Sequence, residues 1–374
     1  MGRRTTARVT IVDVAREAGV SISTVSRVLR DHPDVDATTR SVVRAAIERL
    51  GYRPSPIARA LVTGQTRLLG LLVSDFTNPF YPQLAQSVER EAARAGYTVV
   101  IANTHDEPAE ARRHLTRLLG QGLDGVIHAS AGRDESVVLS LLGDPCRIVF
   151  TNRPPASEDV SYVVSDNFGG ARDLTRHLLS VGHRRIGFIG GPAYARNATE
   201  RLHGFRSAIE EVPGSVGFEV EGDFSRASGE AALLSWIDAR PRPTAVIAIN
   251  DSVAVGALEA LIRRGVGIPD GMALAGFDGT ELAASPIMSL TTVDQHSEEL
   301  GRRSVKALLR QLATGEFVPT HDVLPTKLLV RGSTGASVPV GGPAYRRAPV
   351  ARPAAPGTSR RSRGGDGIVR GRSR

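Results

Sequence analysis

The chain has 374 residues, room for two or three domains at roughly 100–200 residues each. Its 41% hydrophobic and 23% charged residues are ordinary for a globular protein that can bury a core. The single cysteine, Cys146, excludes an internal disulfide framework and a cysteine-built zinc site. No run approaches the roughly 18–20 apolar residues of a membrane helix. Asp13, Arg16, Glu17 and Arg27 interrupt any apolar signal core near the start. A cytoplasmic location with no membrane partner is expected.

The net charge of +8 is unevenly spread. Residues 1–61 carry eleven arginines against six acids, and residues 62–330 carry 26 basic against 32 acidic residues. Residues 331–374 carry ten arginines and one acid. A basic head, an acidic body and a basic tail suggest that only the ends meet a polyanion.

In chain order, the head predicts three short helices. The first has Val12, Val14, Ala15 and Ala18 at helical spacing, begins at a Thr10 cap and stops at Gly19. Ser21 caps the second, which runs through Val25, Val28 and Leu29. The third spans about Ala37 to Leu50, with Val42, Val43, Ala46, Ile47 and Leu50 as its apolar stripe, and Gly51 ends it. Pro54 and Pro56 then favour extended chain. Ile57–Leu61 has the length of one helical turn, too short to persist alone.

From Thr66 onward, apolar runs alternate with amphipathic segments. Leu68–Ser74, Thr98–Asn103, Gly125–Ala129, Arg147–Phe150, Ile186–Gly190, Ala245–Ile249 and Ala273–Phe277 read as buried parallel strands. Helical stretches lie between them at Tyr81–Ala95, Ala109–Leu119, Gly169–Val181, Thr199–Glu211, Ser228–Asp238 and Ser252–Arg264. This alternation predicts an α/β body built on mainly parallel sheets. Beyond about Ser333 the chain is rich in Gly, Pro, Ser, Ala and Arg and reads as disordered.

The most specific signal is Val9–Leu29, VTIVDVAREAGVSISTVSRVL. A supporting helix, a tight turn at Gly19 and a second helix with Ile22, Ser23 and Arg27 on its outer face suit entry into a major groove. Arg27 can bond guanine through two donors, Ser23 a base or phosphate, and Ile22 a thymine methyl. The bland alternative is a helical hairpin with a solvated Arg27.

These residues, followed by Gly51-Tyr52-Arg53-Pro54 and Ala58-Arg59-Ala60-Leu61, resemble the DNA-binding head and hinge of the lactose/galactose repressor family. The resemblance continues through Leu69–Asp75, Asn78-Pro79-Phe80-Tyr81, Gly122–Ile127, Asp166–Gly170, Leu178–Ile186, Gly276-Phe277-Asp278 and Leu290–Val293, and covers about residues 8–335. It implies an all-α helix-turn-helix head (8–53), a hinge (54–65), and a periplasmic-binding-protein-like body (66–335) of two parallel-sheet subdomains. The first would take about 66–165 plus 293–324, the second about 166–292 plus 325–335, leaving a disordered tail at 336–374.

The resemblance further implies a homodimeric repressor on a palindromic double-stranded DNA operator. Contacts would come from Thr10, Ser21, Ile22, Ser23, Thr24, Ser26 and Arg27 in the head. Ser55, Ala58, Arg59 and Leu61 would contribute from the hinge, with Leu61 wedged into a central CG step. The family usually has Asn where this chain has Ser55. In the body, Phe80, Tyr81 and Phe224 would line a ligand cleft, Arg201, Asn250 and Asp278 would bond the ligand, and Asp75 and Asp251 are weaker members. Taken alone, Phe80 and Phe224 read as core before ligand contacts, and Asp251 reads equally as the cap of a helix beginning at Ser252.

No cofactor is expected beyond a small-molecule effector, a sugar first and a purine-type corepressor second. There is no GxSxG, HExxH or GxxxxGK[ST] motif, and His128 reads as a core histidine. A transporter's solute-binding protein would share the body but not the head, and a sugar-modifying enzyme would need a paired acid and base in the cleft. The arginine-rich tail reads as a solvated extension or as nonspecific phosphate attraction.

Overall fold

The computed structural model describes residues 9–29, 31–52, 65–130, 132–314 and 317–335. The head is three helices: α1 (Ile11–Ala18), α2 (Ile22–Leu29) and α3 (Ala37–Leu50). At the start of α1 the Asp13 carboxylate accepts from both the backbone N and the hydroxyl of Thr10, at 2.9 and 2.7 Å. Gly19 closes the helix in the left-handed conformation (φ 66°), which glycine adopts without steric cost. Ser21 Oγ accepts from Thr24 N at 3.1 Å and so caps α2. Val14, Val25, Val28, Val43, Ala46 and Tyr52 form the head's core. Val12 and Val42, expected inside, are each 44% exposed. Their helical phase places them beside the apolar stripe; Ile11 packs against the core in α1, and Ile47 and Leu50 do so in α3 as expected.

The body has two parallel sheets. The first uses β1 (Leu68–Val73), β2 (Thr98–Asn103), β3 (Gly125–His128), β4 (Ile148–Thr151), β5 (Ser161–Ser165) and β11 (His321–Leu324), in the order β11-β5-β4-β3-β1-β2. Helices α4 (Phe80–Arg94), α5 (Pro108–Gly120), α6 (Glu135–Leu142) and α12 (Ser297–Thr314) accompany it. The second sheet uses β6 (Arg185–Ile189), β7 (Val216–Val220), β8 (Ala245–Ala248) and β9 (Ala273–Ala275), in the order β7-β6-β8-β9. Its helices are α7 (Asn167–Ser180), α8 (Arg196–Glu210), α9 (Arg226–Ile237), α10 (Asp251–Arg263) and the short α11 (Glu281–Ala284). A two-stranded antiparallel ladder joins β10 (Thr292–Asp294) to β12 (Lys327–Leu329).

Parallel strands buried on both faces need continuous apolar runs, and β3, β4 and β8 are buried along their whole length. Each sheet has its own core: Leu69, Leu71, Phe80, Leu84 and Leu308 are among the residues in the first, and Leu174, Phe188, Phe205, Ile247 and Phe277 among those in the second. The chain passes between the sheets after β5, after β10 and after β11. At these crossings Ser165 Oγ donates to the Gln295 carbonyl at 2.9 Å. Gly279 lies so close to Asp294 that a Cβ there would sit 2.6 Å from the Asp294 Cα.

Candidate functional site

The outer face of α2 is what the head's core leaves over. Val25 and Val28 point inward, while Ser21, Ile22, Ser23 and Arg27 are exposed, as is Thr10 at the start of α1. Thr24 and Ser26 are half-buried, and the Thr24 hydroxyl lies 2.8 Å from Ser21 Oγ. Ser21 therefore serves the helix first, since its oxygen is already shared with Thr24 N and with the hydroxyls of Thr24 and Ser23. Ser55, Ala58, Arg59 and Leu61 of the expected hinge lie outside the described residues, as does the expected tail.

In the body, the carboxyl ends of both sheets face one cleft of about 220 Å³. The first subdomain contributes Ser74 and Asp75 after β1, His105 and Asp106 after β2, and Asn152 and Arg153 after β4. The second contributes Asn197 and Arg201 of α8, Asp223 and Phe224 after β7, Asn250 after β8 and Asp278 after β9. This is the general location for ligands in open α/β sheets. Of the eight effector-site residues expected from the sequence, Asp75, Phe80, Tyr81, Arg201, Phe224, Asn250 and Asp278 line this cleft.

Asp251 does not line it, and this corrects the expectation. Its carboxylate is buried and accepts from Thr280 N (2.9 Å), Thr280 Oγ1 (2.8 Å) and Thr292 Oγ1 (2.7 Å). Those bonds tie α10 to the segments after β9 and at β10. Asp251 is not the helix cap either: Asn250 takes that position and accepts from Val253 N at 2.7 Å. The Asn250 amide donates to the Phe224 carbonyl at 3.3 Å, so one side chain starts α10 and holds the cleft loop.

The centre of the cleft is a buried pair of opposite charge. Arg201 is 2% exposed; its Nε donates to Asn167 Oδ1 at 2.9 Å and its Nη1 to the Ile249 carbonyl at 2.6 Å. The guanidinium lies 3.8 Å from the centre of the Phe277 ring, a cation–π arrangement. Asp278 Oδ1 is 3.7 Å from Arg201 Nη1 and accepts from Gln295 Nε2 at 2.6 Å. Burial dominates both ionisations. It lowers the Arg201 pKa to about 10, against the opposing pull of Asp278 and Glu200, and raises that of Asp278 despite Arg201.

On the opposite wall the sequence points to Asp75, Phe80 and Tyr81 but does not mark Asp106, Asn152 or Arg153. Arg153 is 3% exposed, donates to Asp106 Oδ1 at 2.7 Å and to Ser74 Oγ at 3.3 Å, and lies 4.8 Å from the Phe224 ring centre. Burial disfavours its charge, but Tyr81 and Asp106 outweigh that and its pKa is raised. Tyr81 receives a bond from Ser74 Oγ at 2.7 Å, and burial pushes its phenol up. Asn152 donates to the Ala129 carbonyl at 3.1 Å.

Two features mark the cleft as built for a ligand. Among the described residues, Arg201 Nη2, Asp278 Oδ2, Arg153 Nε and Asn197 Oδ1 are buried without a hydrogen-bond partner. Buried polar atoms are paired as a rule, and four of the ten described exceptions gather on this one lining. Five of the nine described non-glycine residues with positive φ, namely His105, Asp106, Asn152, Phe224 and Asp278, also line it. Backbone strain of this kind persists where surrounding structure imposes it and gathers at functional sites. His128, by contrast, is fully buried beside Asp134 (3.2 Å) outside the cleft lining.

The fold and site define a DNA-binding helical head attached to a two-subdomain ligand-binding body. Residues 10–55 match the bacterial regulatory proteins of the lacI family, and residues 175–334 match the periplasmic binding protein-like domain. The chain is 36% identical to the ribose operon repressor of Halalkalibacterium halodurans, over 87% of this chain and 97% of that one. The structure of the transcriptional regulator CelR–cellobiose complex is similar at 33% identity and a TM-score of 0.66, covering 87% of this chain and 100% of that one. The lac repressor dimer bound to operator and the anti-inducer ONPF is similar at 29% identity and a TM-score of 0.76, covering 87% and 99%. The chain belongs to the lacI family of bacterial regulatory proteins. It is a DNA-binding, ligand-responsive transcriptional repressor. Among the described residues no helix is long and apolar enough to cross a membrane.

Proposed function

We propose that the chain represses genes of carbohydrate uptake or catabolism as a homodimer on a palindromic operator, and that a sugar in the cleft releases it. The observation that carries the sugar is the set of four unpartnered buried polar atoms on the cleft lining. Two are guanidinium N–H donors and two are acceptor oxygens, and a sugar hydroxyl can serve both because it donates and accepts. A purine would have to stack on a Phe224 ring that already has the Arg153 guanidinium 4.8 Å from its centre, on one of its two faces. Dimerisation and the operator's two-fold symmetry are supported by the lac repressor dimer on its operator and by the geometry of helix-turn-helix dimers.

Coupling follows from the three crossings. A ligand that prefers one angle between the subdomains shifts the equilibrium between them and alters the presentation of the heads. The test is selection of duplexes from a random library at physiological salt, with and without monosaccharides, disaccharides and purines. Enrichment of a palindrome that a sugar abolishes supports the proposal; enrichment only in the presence of a purine overturns it. Asp278→Ala should retain operator binding and lose the response to sugar.

A further inference from the structure

Asp106 is the carboxylate that links the two walls of the cleft. Its Oδ1 accepts from Arg153 Nη1 at 2.7 Å, and its Oδ2 accepts from the Tyr194 hydroxyl of the opposite subdomain at 3.1 Å. Tyr194 is backed by Arg133, whose guanidinium lies 4.5 Å from the ring centre. His105 and Asp106 both hold left-handed backbone, with φ of 54° and 57°. Two successive non-glycine residues in that region are costly and need surrounding contacts to hold them there.

The consequence is electrostatic. Arg153 and Arg201 are the arginines of the lining, against Asp75, Asp106, Asp223 and Asp278. Protonation of Asp278 would still leave three carboxylates against two guanidinium groups. Both arginines are already engaged within the protein, which leaves fewer of their five N–H groups to grip a phosphate or carboxylate. Arg153 has one buried unpartnered nitrogen, Nε, after Asp106 and Ser74 take the others. Arg201 has one, Nη2, after Asn167 and the Ile249 carbonyl.

We propose that Asp106 is a specificity-determining residue: by neutralising Arg153 within the cleft it restricts the effector to an uncharged sugar and rejects phosphorylated or acidic sugars of the same skeleton. This rests on the reading that the cleft takes a sugar. An anion placed there would lose its hydration and meet a carboxylate excess at short range, where repulsion is weakly screened.

The test is titration calorimetry on the full chain with ribose, glucose, ribose 5-phosphate and glucose 6-phosphate, for wild type, Asp106→Asn and Tyr194→Phe. Wild type should bind at least one free sugar at least about tenfold more tightly than its phosphate. Asp106→Asn, which leaves the Arg153 charge unneutralised, should shift that ratio toward the phosphate by a further factor of about ten. Tyr194→Phe removes only the bond across the cleft and should change affinities for sugar and phosphate alike, leaving the ratio intact.

Equal wild-type affinity for sugar and phosphate overturns the proposal while leaving the sugar reading standing, and this comparison does not depend on the variants folding. A ratio unmoved in a folded Asp106→Asn protein, or moved equally by Tyr194→Phe, also overturns it. If a broad panel of free and phosphorylated sugars shows no binding, the sugar reading itself fails, and the proposal falls with it.

Discussion

The head and the cleft use polar residues in opposite ways. In the head, Ile22, Ser23 and Arg27 are exposed because the three-helix core has no use for them. In the cleft, Arg201, Arg153 and Asp278 are among the most buried charged groups of the chain, and each is oriented by neighbours from other elements. A DNA duplex brings its own rigid surface, so the head needs only to present donors. A small ligand brings few atoms, so the cleft must be organised before it arrives. Removing a recognition residue should therefore cost only binding in the head, but binding and stability together in the cleft.

The largest effect should come from Arg201→Ala. It strips the partner from Asp278 and leaves Asn167 and the Ile249 carbonyl without their donor. Breaking a buried pair of this kind costs about 3–5 kcal/mol. Denaturant unfolding of the body should show that loss together with loss of sugar binding. Unchanged stability would break the comparison.

Asp251→Ala sharpens it, since Asp251 is as buried as the cleft residues but faces away from the ligand. Losing an acceptor of three hydrogen bonds should cost about 1–3 kcal/mol of stability with sugar affinity retained. The same variant probes pH dependence. Burial holds the folded pKa of Asp251 and Asp278 above the ordinary aspartate value of 3.8. The folded body thus keeps protons that the unfolded chain has released, and their contribution to stability falls as pH rises from the ordinary aspartate range through the raised values. Unfolding measured across that window should show a shallower decline for Asp251→Ala than for wild type.

Arg27→Ala should have the smallest effect on the fold, within about 0.5 kcal/mol for an exposed side chain away from any cap. It should still relax base preference at one operator position, at a cost on the order of 1–3 kcal/mol. Duplex selection with the variant reads this directly. An unchanged motif would mean that Arg27 reads no base.

Much of this organisation is legible in the sequence, for a physical reason that differs by element. The head is readable because a turn glycine, two caps and an apolar phase act within about ten residues of one another, as at Thr10, Gly19 and Ser21. The central strands are readable because burial on both faces leaves unbroken apolar runs, as at Ala245–Ala248. The edge strand β7 escapes notice because Gly217 and Glu219 break its apolar run, whereas the edge strand β2 keeps one at Val99–Ala102. The sequence pattern likewise does not mark β5, β10, β11 and β12 or the helices α6, α11 and α12. In α12, Arg302, Arg303 and Lys306 interrupt the apolar residues that pack inward, Leu300, Val305 and Leu308.

Local sequence thus determined the helix-turn-helix and the alternation of strand and helix, while the family resemblance supplied seven of the sixteen residues that line the cleft. The tertiary structure decided which buried charges meet. Asp106 and Arg153 are separated by 47 positions, Asp106 and Tyr194 by 88, and Asn250 and Asp251 point to different tasks although they are adjacent. Local periodicity reports which face of an element is apolar, but pairing between distant loops depends on how the sheets stack and where their strands end. That is why Asp251 looked like a ligand contact and proved to be a tie within the second subdomain, and why Asp106 looked like nothing until the two walls of the cleft came together.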